Sequence, residues 1–110
     1  ILREENSTNR FLLSNILAKH LIDIDNLNIV LSFNSPESIK SAVSSGKGFA
    51  FLPNIVVKQD LRRGNLKKIN IKDFDSKFSY YLAYRKNYEF TGYEKIFKKF
   101  ITSSKRCFCY

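Results

Sequence analysis

The chain has 110 residues, 44% apolar and 15% aromatic, with a formal charge of +9 from 19 Lys and Arg against 10 Asp and Glu. That size fits one domain or part of one, and the apolar share is enough to bury a core, which excludes a disordered chain. No apolar run approaches the ~18 residues of a membrane span and no signal peptide is visible, so no membrane partner is expected.

Ile1 to Arg3 reads as the end of a strand. A chain that begins at Ile1 and contains no Met is expected to be a fragment, a processed product or a chain trimmed at its start. Glu4 to Asn9 is polar. An amphipathic helix follows, with Leu12/Leu13, Ile16/Leu17 and Leu21 on one stripe and Asn6, Ser7 or Thr8 as its cap. His20 ends it; the residue can act as a pH switch or ligand, but complementing the helix dipole is the simpler role. After a loop over 22–28, Ile29 to Phe33 reads as a strand. Asn34 and Ser35 break it, Ser35 caps the next helix and Pro36 suits its first position. Ile39, Ala42 and Val43 make one stripe and Gly46 stops the helix. Gly48 opens a second strand, Phe49 to Leu52, which Pro53 ends. Strand, helix and strand predict a right-handed β-α-β unit with two parallel strands. Gly46, Gly48 and Pro53 are read as structural.

Ile55 to Arg62 predicts a short helix with Gly64 as its stop, Leu66, Ile69 and Ile71 a further strand, and Lys72 to Lys77 a charged turn. Phe78 to Arg85 alternates as a strand does. Its tyrosines can stack bases, but basic residues flank the run rather than interleave with it, which favours a core or half-buried strand. Thr91 to Glu94 is a capping box for a last helix with Tyr93, Ile96/Phe97 and Phe100/Ile101 as its apolar stripe. Residues 103–110 are expected to be a loose tail. Cys107 and Cys109 lie in it; a C-x-C pair alone cannot supply four zinc ligands and makes a strained local disulfide. They are read as tail thiols, and the lack of a cysteine framework favours a reducing, cytoplasmic compartment.

The positive charge admits nucleic-acid binding. The densest basic pairs are Arg62-Arg63, Lys67-Lys68, Lys98-Lys99 and Lys105-Arg106. They are spread along the chain and none sits in a groove-inserting motif, which favours a solvated lysine surface. Catalysis finds little support: there is one His, and the serines near helix starts lack a G-x-S-x-G setting. Glu4, Glu5 and Glu37 are explained by helix dipole or surface placement. No phosphate-binding glycine motif is present. A binding module is expected, with no enzyme activity, metal or cofactor. The turns at Ser7 and Ser35 both lead from a strand into a helix N-terminus. In one parallel sheet they would point free amides toward the strands' carboxyl ends, where ligands and anions bind.

The segment from Arg3 to Arg10, REENSTNR, resembles the R-E-x-G-S-G-T-R segment of LysR-type transcriptional regulators, which opens the second half of their effector-binding domain. Ser35 to Val43, then Gly46 to Pro53, is similar to that family's S-x-E-A-I-K-x-x-V-x-x-G-x-G-I-A-x-L-P. Leu61 to Leu66 is similar to its L-x-x-G-x-L turn, Tyr81 to Lys86 to its final strand, and Tyr93 to Ile101 to its closing helix. The resemblance covers residues 1–102, with 103–110 as the tail. It implies an α/β fold, one half of a type II periplasmic-binding-protein-like domain, with a mostly parallel sheet flanked by helices. It also implies a small-molecule effector, a homo-oligomer, and DNA contact only through a helix-turn-helix domain outside this chain. Effector binding would shift the balance between two arrangements of the oligomer. Carried over by position, Ser7, Thr8 and Asn9 match one effector-facing loop, and Asn34 and Ser35 the other; in the family such positions often face a carboxylate. Asn6 and Thr8 stand where the family loop has glycines, so its backbone approaches a ligand less closely. Asn9 replaces the hydroxyl residue before Arg10. A fragment of a transporter's solute-binding protein shares the fold and is the alternative. Apolar surface made to face a missing half would be exposed, so residues 1–110 alone are expected to self-associate.

Overall fold

The computed structural model describes residues 1–77 and 79–103. The chain clusters into two compact units, Ile1–Lys77 and Phe78–Tyr110. The first unit carries β1 (Leu2–Arg3), α1 (Thr8–Lys19), a 3-10 turn (Ile24–Asn26), β2 (Ser32–Phe33), α2 (Pro36–Ser44) and α3 (Asn54–Arg63). The second carries α4 (Gly92–Thr102). The first unit is α/β, a small parallel sheet with α1 and α2 packed on it.

β1 and β2 pair in parallel, Leu2 opposite Ser32 and Arg3 opposite Phe33. The Leu2 N–H donates to the Leu31 carbonyl at 3.1 Å and the Glu4 N–H to the Phe33 carbonyl at 3.0 Å. Parallel neighbours need a long crossover, and α1 is that crossover. Leu13 and Leu17, one helical turn apart, bury against Leu2 and Ile24. Leu27, Ile29, Phe51 and Phe74 close around them. Each buried leucine side chain contributes roughly 1.5–3 kcal/mol. The α1 stripe is shorter than its sequence period predicts. The helix ends at Lys19, and Leu21 takes a left-handed φ of 59° with 97% of its surface exposed. A left-handed residue turns the chain away from the helix axis, so the next apolar position leaves the stripe.

α2 begins where Ser35 and Pro36 predict. Ile39 is fully buried and α2 packs on both strands; Ala42 and Val43 are half-buried. Lys40 ties α2 to α3 through an ion pair with Asp60 at 3.1 Å. α3 stops at Gly64, whose φ of 78° is left-handed as a helix end requires.

The parallel pair is therefore β1-α1-β2, not the expected pair of Ile29–Phe33 with Phe49–Leu52. Only Ser32 and Phe33 of the former are paired as strand, and Phe49 to Leu52 forms none. Phe49 does lie beside β1: the Ile1 nitrogen donates to its carbonyl at 2.7 Å. The N–H groups of Leu2 and Glu4 face β2, so by the alternation of strand geometry Ile1 reaches the opposite edge. A two-residue template holds one bond there and no ladder.

Leu66 to Ile71 is not a strand either, and Ile69 and Ile71 are exposed. Phe78 lies outside the described residues. Residues 79–85 take no strand assignment, and Tyr80, Tyr81, Leu82 and Tyr84 are exposed. Strand-like composition reports fitness for a pleated, half-buried surface. Without a neighbouring strand among the described residues, these runs have no ladder to join.

In the second unit the capping box is complete: the Thr91 hydroxyl accepts from the Glu94 N–H, and the Glu94 carboxylate accepts from the Thr91 N–H at 2.8 Å. Glu94 also accepts from the Tyr88 hydroxyl at 2.8 Å; the Thr91 N–H first, and Tyr88 after it, hold its carboxyl below the usual range. Tyr84 and Tyr88 each meet the Phe90 ring edge-on, and Lys98 lies 4.7 Å and 4.6 Å from the Tyr84 and Phe90 ring centres. Along α4, Tyr93, Ile96, Phe97 and Phe100 are exposed, and Ile101 is half-buried. The tail beyond Ser103, with Cys107 and Cys109, lies outside the described residues.

Candidate functional site

The register of β1 and β2 fixes the geometry of the site. Glu4 follows β1 and Asn34 follows β2, and parallel strands put both at the same edge of the sheet. The turns before α1 and α2 therefore share the carboxyl end, where ligands collect in open α/β sheets.

Ser7 is buried, at 8% exposed. Its N–H donates to the Glu4 carbonyl at 3.1 Å and its hydroxyl oxygen accepts from the Arg10 N–H at 3.1 Å. The hydroxyl is thus committed to capping α1. Thr8 and Asn9 occupy the next two helical positions, whose N–H groups have no partner within a helix. Thr8 is exposed and Asn9 half-exposed. The second turn is built differently. The Ser35 hydroxyl accepts from the Ser38 N–H at 3.1 Å and donates to the Ser38 hydroxyl at 2.8 Å. Pro36 has no N–H to offer, which leaves Glu37 as the open amide of that helix start. Asn34 is exposed and Ser35 half-exposed.

Charge at this edge is paired rather than purely positive. The Arg3 guanidinium makes two hydrogen bonds to the Glu4 carboxylate, both at 2.9 Å. That bond pushes the Arg3 group up from its ordinary value, with the charges of Glu4 and Glu37 adding, and it holds Glu4 below the usual carboxylate range. Arg10 donates to the Arg3 carbonyl at 3.3 Å, tying α1 back to β1. Arg3 thus holds Glu4 through its guanidinium and α1 through its carbonyl. Serine and asparagine caps alone did not disclose this linkage; its signal was the Arg3-Glu4 and Arg10 frame around them.

Two shallow surface depressions flank the edge. One, of about 290 Å³, is lined by Glu5, Asn6, Ser7, Thr8 and Phe11. The other, of about 580 Å³, runs along α2 and β2 past Leu31, Phe33, Glu37, Ser38 and Lys47. Ser7 and Thr8 sit in the first; Asn9, Asn34 and Ser35 line neither. Phe11, 64% exposed, escapes a sequence reading because it falls off the buried Leu13–Leu17 stripe. His20 closes α1 and stacks on Phe74 with ring centres 5.8 Å apart. Among the described residues no group of three or more His, Cys, Asp and Glu is placed to hold a metal, and no helix is long and apolar enough to cross a membrane.

The comparisons with known proteins agree with this frame. A probable RuBisCO transcriptional regulator of Phaeodactylum tricornutum is 35% identical over 68 residues, 62% of this chain and 22% of that protein. Proteins of the same description from Cyanidium caldarium and Synechocystis are 34% and 33% identical, over 74% and 66% of this chain and 27% and 21% of their own lengths. The chain thus spans about a fifth to a quarter of the curated relatives it matches. These relatives are described as regulators, not transport components. No solved structure matches the chain significantly. The family model of the LysR substrate binding domain matches residues 1–104, and the chain belongs to that family.

Proposed function

We propose that this chain is the second half of the effector-binding domain of a LysR-type transcriptional regulator. In this reading residues 1–102 belong to one half of a type II periplasmic-binding-like domain, and 103–110 are a tail. The observation that carries the site is the parallel register of β1 and β2, which sets the turns at Ser7 and Ser35 on one edge. We assign Ser7, Thr8, Asn9, Asn34 and Ser35 to the effector-facing set, with roles divided by geometry. Ser7 and Ser35 hold the turns in shape through their caps. The Thr8 and Asn9 amides and the Asn34 side chain face the guest. Two open amides at a helix start favour an anionic group such as a carboxylate. The depression lined by Ser7 and Thr8 supplies part of one wall of a cleft, and the domain's other half supplies the second. Effector capture between the halves shifts the oligomer between two arrangements, and a separate domain of the regulator grips DNA accordingly.

The test is a substitution that deletes one donor without moving the helix. Thr8 is the first helical residue, and Ser7 before it is extended at φ −79° and ψ 139°, a conformation that accepts a following proline. The whole regulator is screened for thermal stabilisation against small carboxylates and phosphates, and the best binder is titrated calorimetrically. Thr8→Pro is expected to weaken that binding roughly 10- to 100-fold, the loss of one hydrogen bond to a charged group. Unchanged affinity, or no binder in the panel, rejects the assignment.

A further inference from the structure

The chain turns back on itself after α3. Gly64 donates to the Leu61 carbonyl at 3.2 Å, and the N–H groups of Asn65 and Leu66 both reach the Asp60 carbonyl, at 3.0 and 3.4 Å. This reversal sets Lys67 and Lys68 at the same corner of the first unit as Arg62 and Arg63. All four residues are exposed. No Asp or Glu occurs between Leu61 and Lys72. The nearest preceding carboxylate, Asp60, is taken by Lys40 at 3.1 Å. None of the four cations forms an ion pair among the described residues. Arg62 and Arg63 lie in the last turn of α3, where a cation complements the helix dipole. That end offers only about half a negative charge, so most of the corner's positive charge is left for a partner outside the chain.

We propose that Arg62, Arg63, Lys67 and Lys68 form a contact surface for the phosphate backbone of duplex DNA. The proposal rests on the regulator reading, which brings the chain close to DNA, and goes beyond it by giving this domain a direct contact. Short runs of unpaired Arg and Lys on an exposed turn match the regular charge of a duplex. No helix or ribbon at this corner is arranged to enter a groove, so the surface positions the duplex without reading sequence. It lowers the dissociation constant for every duplex alike.

The experiment uses the whole regulator and a random-sequence duplex, with binding followed by fluorescence anisotropy across a salt series. Arg62→Gln, Arg63→Gln, Lys67→Gln and Lys68→Gln are combined in one variant. A second variant removes equal charge elsewhere: Lys19→Gln, Lys86→Gln, Lys95→Gln and Lys99→Gln. The slope of log K against log salt is expected to flatten in the first by about 0.9 for each phosphate no longer neutralised, at most ~3.6 in all. It is expected to stay unchanged in the second. A parent slope retained by the first variant, as when the corner serves an acidic protein instead, overturns the proposal. Equal flattening in both variants also overturns it, since overall charge then suffices. A parent protein that binds no duplex at all rejects the regulator reading, and this DNA-facing role with it.

Discussion

Ser7→Ala tests whether the turn before α1 is held as described. Among the described residues the Ser7 hydroxyl is the one side-chain acceptor for the Arg10 N–H, at 3.1 Å, and Ser7 is buried. Removing a serine cap costs about 0.5–2 kcal/mol. Because water reaches a buried donor poorly, the loss belongs in the upper half of that range, about 1–2 kcal/mol. For a unit of this size that is roughly 4–15 °C in Tm. Ser35→Ala supplies the internal comparison. Ser35 is half-exposed, so water replaces part of its bond to the Ser38 N–H, and about 0.5–1 kcal/mol is expected. Urea unfolding followed by far-UV circular dichroism measures both, with equal m-values required for a like-for-like comparison. A Ser7→Ala loss below about 0.3 kcal/mol, or one smaller than that of Ser35→Ala, would refute the reasoning.

Ile39→Ala removes the fully buried side chain of α2 and should cost about 2–5 kcal/mol in the same unfolding assay. Gly64→Ala places a Cβ where no atom lies within 4 Å but φ is +78°, so only backbone strain opposes it, about 1–2 kcal/mol. The Arg3 bond lowers the Glu4 carboxyl, so its stabilisation is present above the ordinary carboxylate range. It is lost as pH falls through the lowered folded value. Melting curves of Glu4→Gln and parent should therefore differ by a constant gap near neutrality that closes on acidification; a gap that widens in acid contradicts the pairing. Sedimentation of residues 1–110 alone should show self-association at high concentration, because Tyr80, Tyr81, Tyr93, Ile96, Phe97 and Phe100 are exposed. A stable monomer there counts against the expectation.

What the sequence determined by itself is local. Ser7, Ser35 with Pro36, Gly64 and the Thr91–Glu94 box each start or stop a helix through bonds among residues a turn apart, and the helices stand where those residues predict. The order and spacing of the motifs also carried the family. Strands were a different matter. Ile29 to Phe33, Phe49 to Leu52, Leu66 to Ile71 and Phe78 to Arg85 have strand-like composition, but a ladder needs a partner distant in sequence. Only tertiary structure chose β1 as the neighbour of Ser32 and Phe33. It likewise decided that the Ser7 hydroxyl is buried in a cap. The bond from the Arg10 guanidinium of α1 to the Arg3 carbonyl of β1 came from it too. Helix ends are written in neighbouring residues; the shared edge of a sheet exists only once strands thirty residues apart in the chain have met.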